Sequence, residues 1–435
     1  MSVSKTVGRG SSPWWVAKLY RKKCMRKKKI AILGRGTAGA ISAAMMYKRH
    51  GFETEWIYDS NIKTQPVGEG SILGFPEMLG KHLGLTSEDI KKIDGTFKTG
   101  LKKQGWGETG KVFYHNLGPG HFGYHFNAVA LQDYVSDRVS DQIRVTDKHI
   151  NSHDEIDADY IMDCSGRPIV DDSFIKTPYI PVNAAYVTQC YWDYPRFNHT
   201  LALARPYGWV FGVPLRNRCS IGYIFNKNFN TFDEVKEDVK NIFDEYNLIP
   251  SDKTNSIEFP NYYRKQNFTD RISFNGNSSF FLEPLEATSI SMMMDIFQYS
   301  ILTIKEVVTP QKANEFYSTK IREIENVLMI HYFSGSIYDT EFWKHAKKVG
   351  HQNMVDSANW FKHIVKYSSK LEFQPATEES INAEGFPKPD GPMTRLQLEH
   401  YGTWSPASFH SNLNSLGIMN KLKMMYNIQD EKKRN

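Results

Sequence analysis

Residues 34–39 read Gly34-Arg-Gly36-Thr37-Ala38-Gly39 and stand between an apolar run, Lys28 to Leu33, and a segment of helical composition, Ala40 to Arg49. No other stretch narrows the fold so far. A buried strand, a glycine turn and a helix in that order form the opening unit of a dinucleotide-binding parallel sheet. Gly34 permits the tight turn, Gly36 lets the backbone approach a pyrophosphate, and Gly39 lets the helix pack close to the strand. Backbone N–H groups at the helix start, from Thr37 and Ala38 onward, then bind the anion. A second strand, Glu53 to Tyr58, ends at Asp59, 20 residues beyond Gly39. A carboxylate there accepts hydrogen bonds from ribose hydroxyls.

The chain has 435 residues, enough for two or three domains or one elaborated domain. Its most apolar run, Ser289 to Val308, is broken by Asp295, Gln298 and Lys305, so no membrane-spanning helix is expected. Residues 1–29 lack the apolar segment of a secretory signal. Four cysteines without CxxC spacing argue against a zinc ribbon or a disulfide scaffold and for a reducing cytoplasm. No metal site is expected. The net charge of +6 is carried by the first 29 residues, which hold ten Lys or Arg and no acid; the remainder is net −4. Such a block reads either as a solvated leader or as an arm for nucleic acid. Nothing in the body supports the second reading, and no nucleic-acid partner is expected.

Along the body, Thr86 to Lys103 reads as largely helical, with Lys102 and Lys103 solvated. Asn127 to Arg138, Phe232 to Tyr246 and Lys312 to Phe333 also read as helices. Ala158 to Cys164 is a strand, residues 176–226 are β-rich, and the prolines at 375, 387, 389 and 392 mark an extended loop. Nucleotide-binding elements are spread from residue 34 to Gly276. Asp163-Cys-Ser-Gly166, at the end of an apolar strand, favours FAD over NAD. Val67-Gly68-Glu69-Gly70-Ser71 is a glycine-rich loop after the second strand.

Several of these segments, in order, resemble the flavin-dependent halogenases of the tryptophan-halogenase-like family. Residues 34–39 resemble its GxGxxG, and Val67-Gly-Glu-Gly-Ser71 resembles its VGEAT strap. Asp94-Gly-Thr-Phe-Lys98 resembles the segment with the active-site lysine. Phe113-Tyr-His115 and Tyr124-His-Phe-Asn127 resemble two further segments. Gly208-Trp-Val-Phe-Gly-Val-Pro214 resembles WxWxIP, and Phe281-Leu-Glu-Pro-Leu-Glu286-Ala-Thr288 resembles FxEPLEST. His331-Tyr-Phe and Asp339-Thr-Glu-Phe-Trp343 resemble a late segment. The resemblance covers residues 28–345.

It implies an α/β protein with an FAD-binding, Rossmann-like core of glutathione-reductase type, an inserted β-sheet layer and a helical C-terminal part. A disordered tail (1–27) would precede a body (28–345) with discontinuous nucleotide and substrate parts, and a helical, loop-rich region (346–435) would complete the substrate side. The activity implied is halogenation that depends on FADH2 and O2. Hypohalous acid made from halide travels inside the protein to Lys98, with Glu286 assisting; Glu283 is the competing carboxylate. Lys98 acts either as a neutral amine forming a haloamine or as an ammonium donating a hydrogen bond to the oxidant. Thr288 and Ser289, at a helix start, are the halide candidates. Ser289 replaces a family glycine, which leaves halide preference open. Trp209 and Phe211 hold the WxWxIP positions that separate arene from flavin.

His115 lines the arene pocket. Leu117 stands where tryptophan halogenases stack a phenylalanine on indole, a loss of about 0.5–1.5 kcal/mol of aromatic grip. A small electron-rich arene other than free tryptophan is therefore expected as substrate. A separate flavin reductase is expected to supply FADH2, and a homo-oligomer is left open. The competing enzymatic reading is an FAD monooxygenase or other flavin oxidoreductase on the same scaffold.

Overall fold

The computed structural model describes residues 26–63, 68–117, 121–371 and 404–429. The basic segment through residue 25, Val67 and the four prolines of the 371–393 stretch lie outside them. The chain enters on β1 (Lys28–Leu33), with Ile30 to Ile32 buried, and turns at the glycines into α1 (Thr37–Met46). β2 (Phe52–Tyr58) pairs parallel to β1, Leu33 opposite Ile57. Gly34 takes φ +100°, and a Cβ on it would lie 2.4 Å from the Cys164 carbonyl oxygen. A Cβ on Gly39 would lie 2.0 Å from the Gly34 carbonyl oxygen. Both obstacles are backbone, so neither can swing aside. Gly39→Ala is expected to push α1 off the strand, to cost about 1–3 kcal/mol as overpacking, and to abolish flavin binding. Thermal unfolding and a flavin titration check this; wild-type flavin affinity in the variant would refute the role given to the turn.

β3 (Gly68–Gly70) and α2 (Phe75–Leu83) follow. The segment expected to be helical is mostly extended. A short 3₁₀ turn, Asp89–Ile93, ends at Asp94 with φ +52°, and two strands follow, β4 (Thr96–Lys98) and β5 (Gly100–Gln104). The reason is long-range pairing. β5 lies between β6 (Phe113–Asn116), antiparallel, and a later strand, parallel, while β4 pairs with β7 (Gly123–Asn127). Pairing partners this distant in sequence override local helix propensity.

Asn127 caps α3 (Ala128–Val139), its side chain accepting from the Val129 N–H at 3.0 Å. Beyond lie β8 (Arg144–Asp147), β9 (Tyr160–Asp163), β10 (Phe174–Lys176), β11 (Ala184–Tyr191), β12 (Thr200–Arg205), β13 (Gly208–Pro214) and β14 (Arg218–Phe225). α4 (Phe232–Glu245) carries a capping box from Thr231 and Glu234. The order continues with β15 (Ile249–Glu258), β16 (Tyr262–Arg264), β17 (Ile272–Phe274), β18 (Phe280–Phe281), α5 (Thr288–Ile304), α6 (Pro310–Ser334), α7 (Glu341–Asp356) and α8 (Ala358–Ser368). After residue 403 come α9 (Pro406–Ser415) and α10 (Met419–Met425).

The parallel sheet has order β17-β9-β1-β2-β8, and the inserted sheet has order β15-β11-β14-β13-β12-β5-β6. A small sheet, β3-β7-β4, joins the two layers. One core of Ile32, Ala40, Phe126, Leu131 and Phe297 lies on the nucleotide side. A larger core of Trp106, Trp209, Tyr317, Tyr332, Trp343, Trp404 and Phe409 ties the inserted sheet to the C-terminal helices. α9 packs on α8 and on β6, which carries His115. Among the described residues no helix is long and apolar enough to cross a membrane, and Cys164, Cys190 and Cys219 are free and buried.

Candidate active site

At the nucleotide end, α1 starts at Gly36 with no side-chain cap and no acid in its first turn. A Cβ on Gly36 would meet nothing within 4 Å. The first N–H groups therefore face open space under a positive dipole. Gly166 (φ +109°) opens on the same kind of space, and Gly276 (φ +63°) packs its bare backbone against Ala38, where a Cβ would lie 2.6 Å away. Asp59 ends β2 and accepts from the Asn61 backbone N–H at 2.8 Å and from His149 Nδ1 at 2.7 Å. Those bonds, the backbone one foremost, hold its carboxyl below the usual range. Asp163 is turned inward. Its carboxylate takes His153 Nε2 at 2.8 Å and the Ser165 N–H at 2.9 Å, so it braces the Cys164–Gly166 loop. Glu69 is hydrogen-bonded to Thr37 Oγ1, which ties the strap to the start of α1; burial raises its carboxyl above the ordinary value. A glycine cradle, an uncapped helix start and a carboxylate at the end of β2 fit a dinucleotide.

The strap passes from this cradle to the lysine. Gly68–Gly70 and Thr96–Lys98 flank β7 on either side. Lys98 is wholly buried, and its Nζ has no hydrogen-bond partner among the described residues. A Cβ on Gly70 would lie 3.4 Å from that nitrogen and 3.4 Å from Thr200 Oγ1. His125, also on β7, meets Thr96 Oγ1 at 3.2 Å and Thr200 Oγ1 at 2.9 Å. Thr96 donates to the Pro214 carbonyl at 2.7 Å, so His125 Nδ1–H donates to Thr96 and Nε2 accepts from Thr200. Burial keeps this imidazole neutral. Burial likewise lowers the Lys98 ammonium to about 8; Glu286 opposes the shift and Lys103 adds to it.

Glu286 sits in a short turn ahead of α5 at φ +70°, followed by Ala287 at φ +53°. Two consecutive non-glycine residues in the left-handed region are strained. The strain turns the carboxylate into the protein rather than along the helix axis, so it is not a dipole-complementing residue. Its Oε2 accepts from His115 Nδ1 at 3.0 Å and from Trp404 Nε1 at 2.8 Å. Its Oε1 faces Lys103 Nζ at 2.5 Å and His331 Nε2 at 3.4 Å, yet takes a well-directed hydrogen bond from neither. Burial works to raise the Glu286 carboxyl, but Lys103 and His115 outweigh it and hold the group well below its usual value. Burial lowers His115, and lowers His331 to about 4, so both rings are neutral.

The competing carboxylate, Glu283, is elsewhere. Its Oε2 takes Trp209 Nε1 at 3.1 Å and the Tyr332 hydroxyl at 2.5 Å, and burial raises it to about 7. Trp209 and Phe211 lie on β13 with ring centroids 6.3 Å apart, and Trp209 continues through Trp106 to His331. Leu117 is half-buried, its N–H donating to the Thr99 carbonyl at 3.3 Å beside Lys98. At the start of α5, Thr288 is 1% exposed and its hydroxyl has no hydrogen-bond partner among the described residues; Ser289 is half-buried.

Two features went unread in the sequence. Lys103, expected to be solvated, is 0% exposed, bonded to Asn412 Oδ1 at 2.7 Å and to His331 Nε2 at 2.8 Å. Lys102 is half-buried, over the Tyr246 ring. Strand periodicity was the available signal, since Lys103 lies two residues from buried Leu101 and so on its face. Trp404 was the second. Its ring lies 5.2 Å from His115, 5.5 Å from His331 and 5.0 Å from Lys103 Nζ. Trp404 and Asn412 carry the far end of the chain into the site.

The profile of the family described as tryptophan halogenase matches residues 29–145 and 134–380. Tryptophan 7-halogenase RebH of Lentzea aerocolonigenes is 21% identical over 433 residues, covering 75% of this chain and 81% of that protein. The 7-chloro-L-tryptophan 6-halogenase KtzR of Kutzneria sp. (strain 744) is 22% identical over 257 residues, covering 52% of this chain and 49% of that protein. A flavin-dependent halogenase from Xanthomonas campestris superposes with a TM-score of 0.69 at 17% identity, over 92% of this chain and 96% of that one. At that identity the likeness establishes the fold.

Proposed function

The chain belongs to the tryptophan halogenase family, and on that premise we propose that it is a flavin-dependent halogenase of a small electron-rich arene other than free tryptophan. The observation that carries the reading is Lys98: a wholly buried amine without a hydrogen-bond partner among the described residues, reached by the strap that begins at the nucleotide cradle. FAD and halide are its cofactors, and a separate reductase delivers the flavin reduced. Gly34, Gly36, Thr37, Ala38 and Gly39 would bind the pyrophosphate, Asp59 the ribose, and Gly68 to Gly70, Gly166 and Gly276 would close around the rest. When bound, reduced FAD supplies, with oxygen and halide, the hypohalous acid.

The start of α5, with the Thr288 hydroxyl and the N–H of Ser289, receives halide. Lys98, buried and shielded from bulk solvent, would receive the oxidant. The arene attacks the electrophilic halogen, a carbon–halogen bond forms as the bond from halogen to oxygen, or to the Lys98 nitrogen, breaks, and the ring proton passes by way of Glu286 to the departing hydroxide, which leaves as water, or back to the Lys98 amine. Trp209 and Phe211 fill the space between arene and flavin.

The testing experiment is a halide and arene screen with an added flavin reductase, read by mass spectrometry. Halogenated phenols or indoles are expected, at rates at least tenfold above any product from free tryptophan. Oxygenated products that form equally without bromide or chloride would replace this reading with the monooxygenase one. Strong, tryptophan-selective turnover would overturn the substrate class.

A further inference from the structure

Two buried lysines, Lys98 and Lys103, both feel the charge of one buried carboxylate, Glu286. Lys98 on β4 and Lys103 on β5 are each 0% exposed. Around them stand Glu286 from the turn before α5, His115 from β6, His125 from β7 and His331 from α6. The three imidazoles are neutral, so the charges that matter are two cations against one anion. The anion is not shared. Lys103 Nζ lies 2.5 Å from Glu286 Oε1 and is bonded to His331 Nε2 and Asn412 Oδ1 as well. Lys98 Nζ makes neither an ion pair nor a hydrogen bond among the described residues.

We propose that Lys103 is a positioning residue that takes Glu286 as its own counter-ion and so leaves Lys98 a buried amine without a partner. Two effects follow at Lys98. The field of Glu286, which favours the Lys98 ammonium but does not outweigh its burial, is opposed by the adjacent Lys103 ammonium, and that ammonium itself disfavours a second positive charge nearby. Lys98 is therefore the lysine that gives up its proton first. The depression to about 8 agrees with this order. The consequence lies in the form that meets the oxidant. A neutral Lys98 attacks the halogen of hypohalous acid, the nitrogen–halogen bond forms as the halogen–oxygen bond breaks, and the amine proton leaves with hydroxide as water. Asn412 gives the C-terminal helices a part in this, since α9 closes the cage around Lys103.

The inference rests on the reading of Lys98 as the halogen-carrying amine, but its test does not need turnover. Protein labelled with carbon-13 at lysine Cε is titrated by NMR, with Lys98→Arg and Lys103→Met used to assign the two buried signals. In the wild type, Lys98 is expected to titrate near pH 8 and Lys103 above it. In Lys103→Met, which keeps side-chain volume, Glu286 becomes the counter-ion of Lys98. The Lys98 midpoint should then rise by about one unit or more, a loss of neutral amine at pH 8 of about fivefold or more. The rising limb of the halogenation rate against pH should move with it. An unmoved Lys98 midpoint in folded Lys103→Met overturns the proposal, and so does a wild type in which Lys103 titrates at or below Lys98. If the variant does not fold, the wild-type order decides. Correct titrations without halogenation of any arene would leave this charge assignment standing and remove the functional reading. Halogenation with an unmoved Lys98 would do the reverse.

Discussion

Lys98→Ala is expected to lower arene halogenation by at least a hundredfold, with FAD binding unchanged. The size of the loss follows from position. Lys98 ends a three-residue strand of the small sheet that bridges the two layers, and its amine is the unpartnered polar group nearest Gly70. A general acid or base, or a nucleophile, at the reacting atom is worth about 10²–10⁴ in rate. No neighbouring group can replace it. His125 is held by two threonines, His115 is bonded to Glu286, His331 to Lys103 and the Val327 carbonyl, and Lys103 is bound at three points. FAD binding should be spared because the proposed cradle is mostly backbone at residues 34–39, 166 and 276; of its members Gly70 is the one beside Lys98, and its backbone does not depend on that side chain. Product mass and a flavin titration on the same preparation are the measurements. Halogenation within tenfold of wild type would count directly against the assignment.

Glu286→Gln is expected to cost about 3–5 kcal/mol of stability, because it strands the Lys103 ammonium, which is wholly buried. The direction with pH separates this from a packing loss. Glu286 has a depressed folded-state value, so its contribution is present above the usual carboxylate range and is lost as pH falls through the folded value. The variant should lack that acid limb. Lys103 is itself lowered by burial, so the penalty should shrink as pH rises and the stranded lysine discharges. Urea unfolding at pH 5, 7 and 9 measures both. A uniform loss at all three would assign the effect to packing. Arene halogenation should fall in parallel, since the amide cannot take the ring proton.

Much of this protein was legible before any coordinates. The unit β1-turn-α1-β2 was readable because its information is local: apolar run, glycines and terminal carboxylate lie within 32 residues, and a Cβ at Gly34 or Gly39 would strike backbone. The helices expected over Asn127 to Arg138 and Phe232 to Tyr246 were readable for the same reason, and form as Ala128–Val139 and Phe232–Glu245. The Thr86 to Lys103 segment failed because its conformation is set by β6, β7 and β12, up to a hundred residues away, and the misreading had a cost. Taking Lys103 for a helix-surface lysine hid the ion pair that organises the site.

What the amino-acid sequence offered by itself was the nucleotide cradle and the kind of fold that contains it, and its resemblance to the family pointed to two candidate site residues, Lys98 and Glu286. What only the tertiary structure decided was their charge. A lysine in sequence is a cation in water. Whether it stays one depends on the solvent it loses and the counter-ion it keeps, and here both were set by a strand pairing, a strained turn at Glu286 and a C-terminal helix that no local pattern foretold.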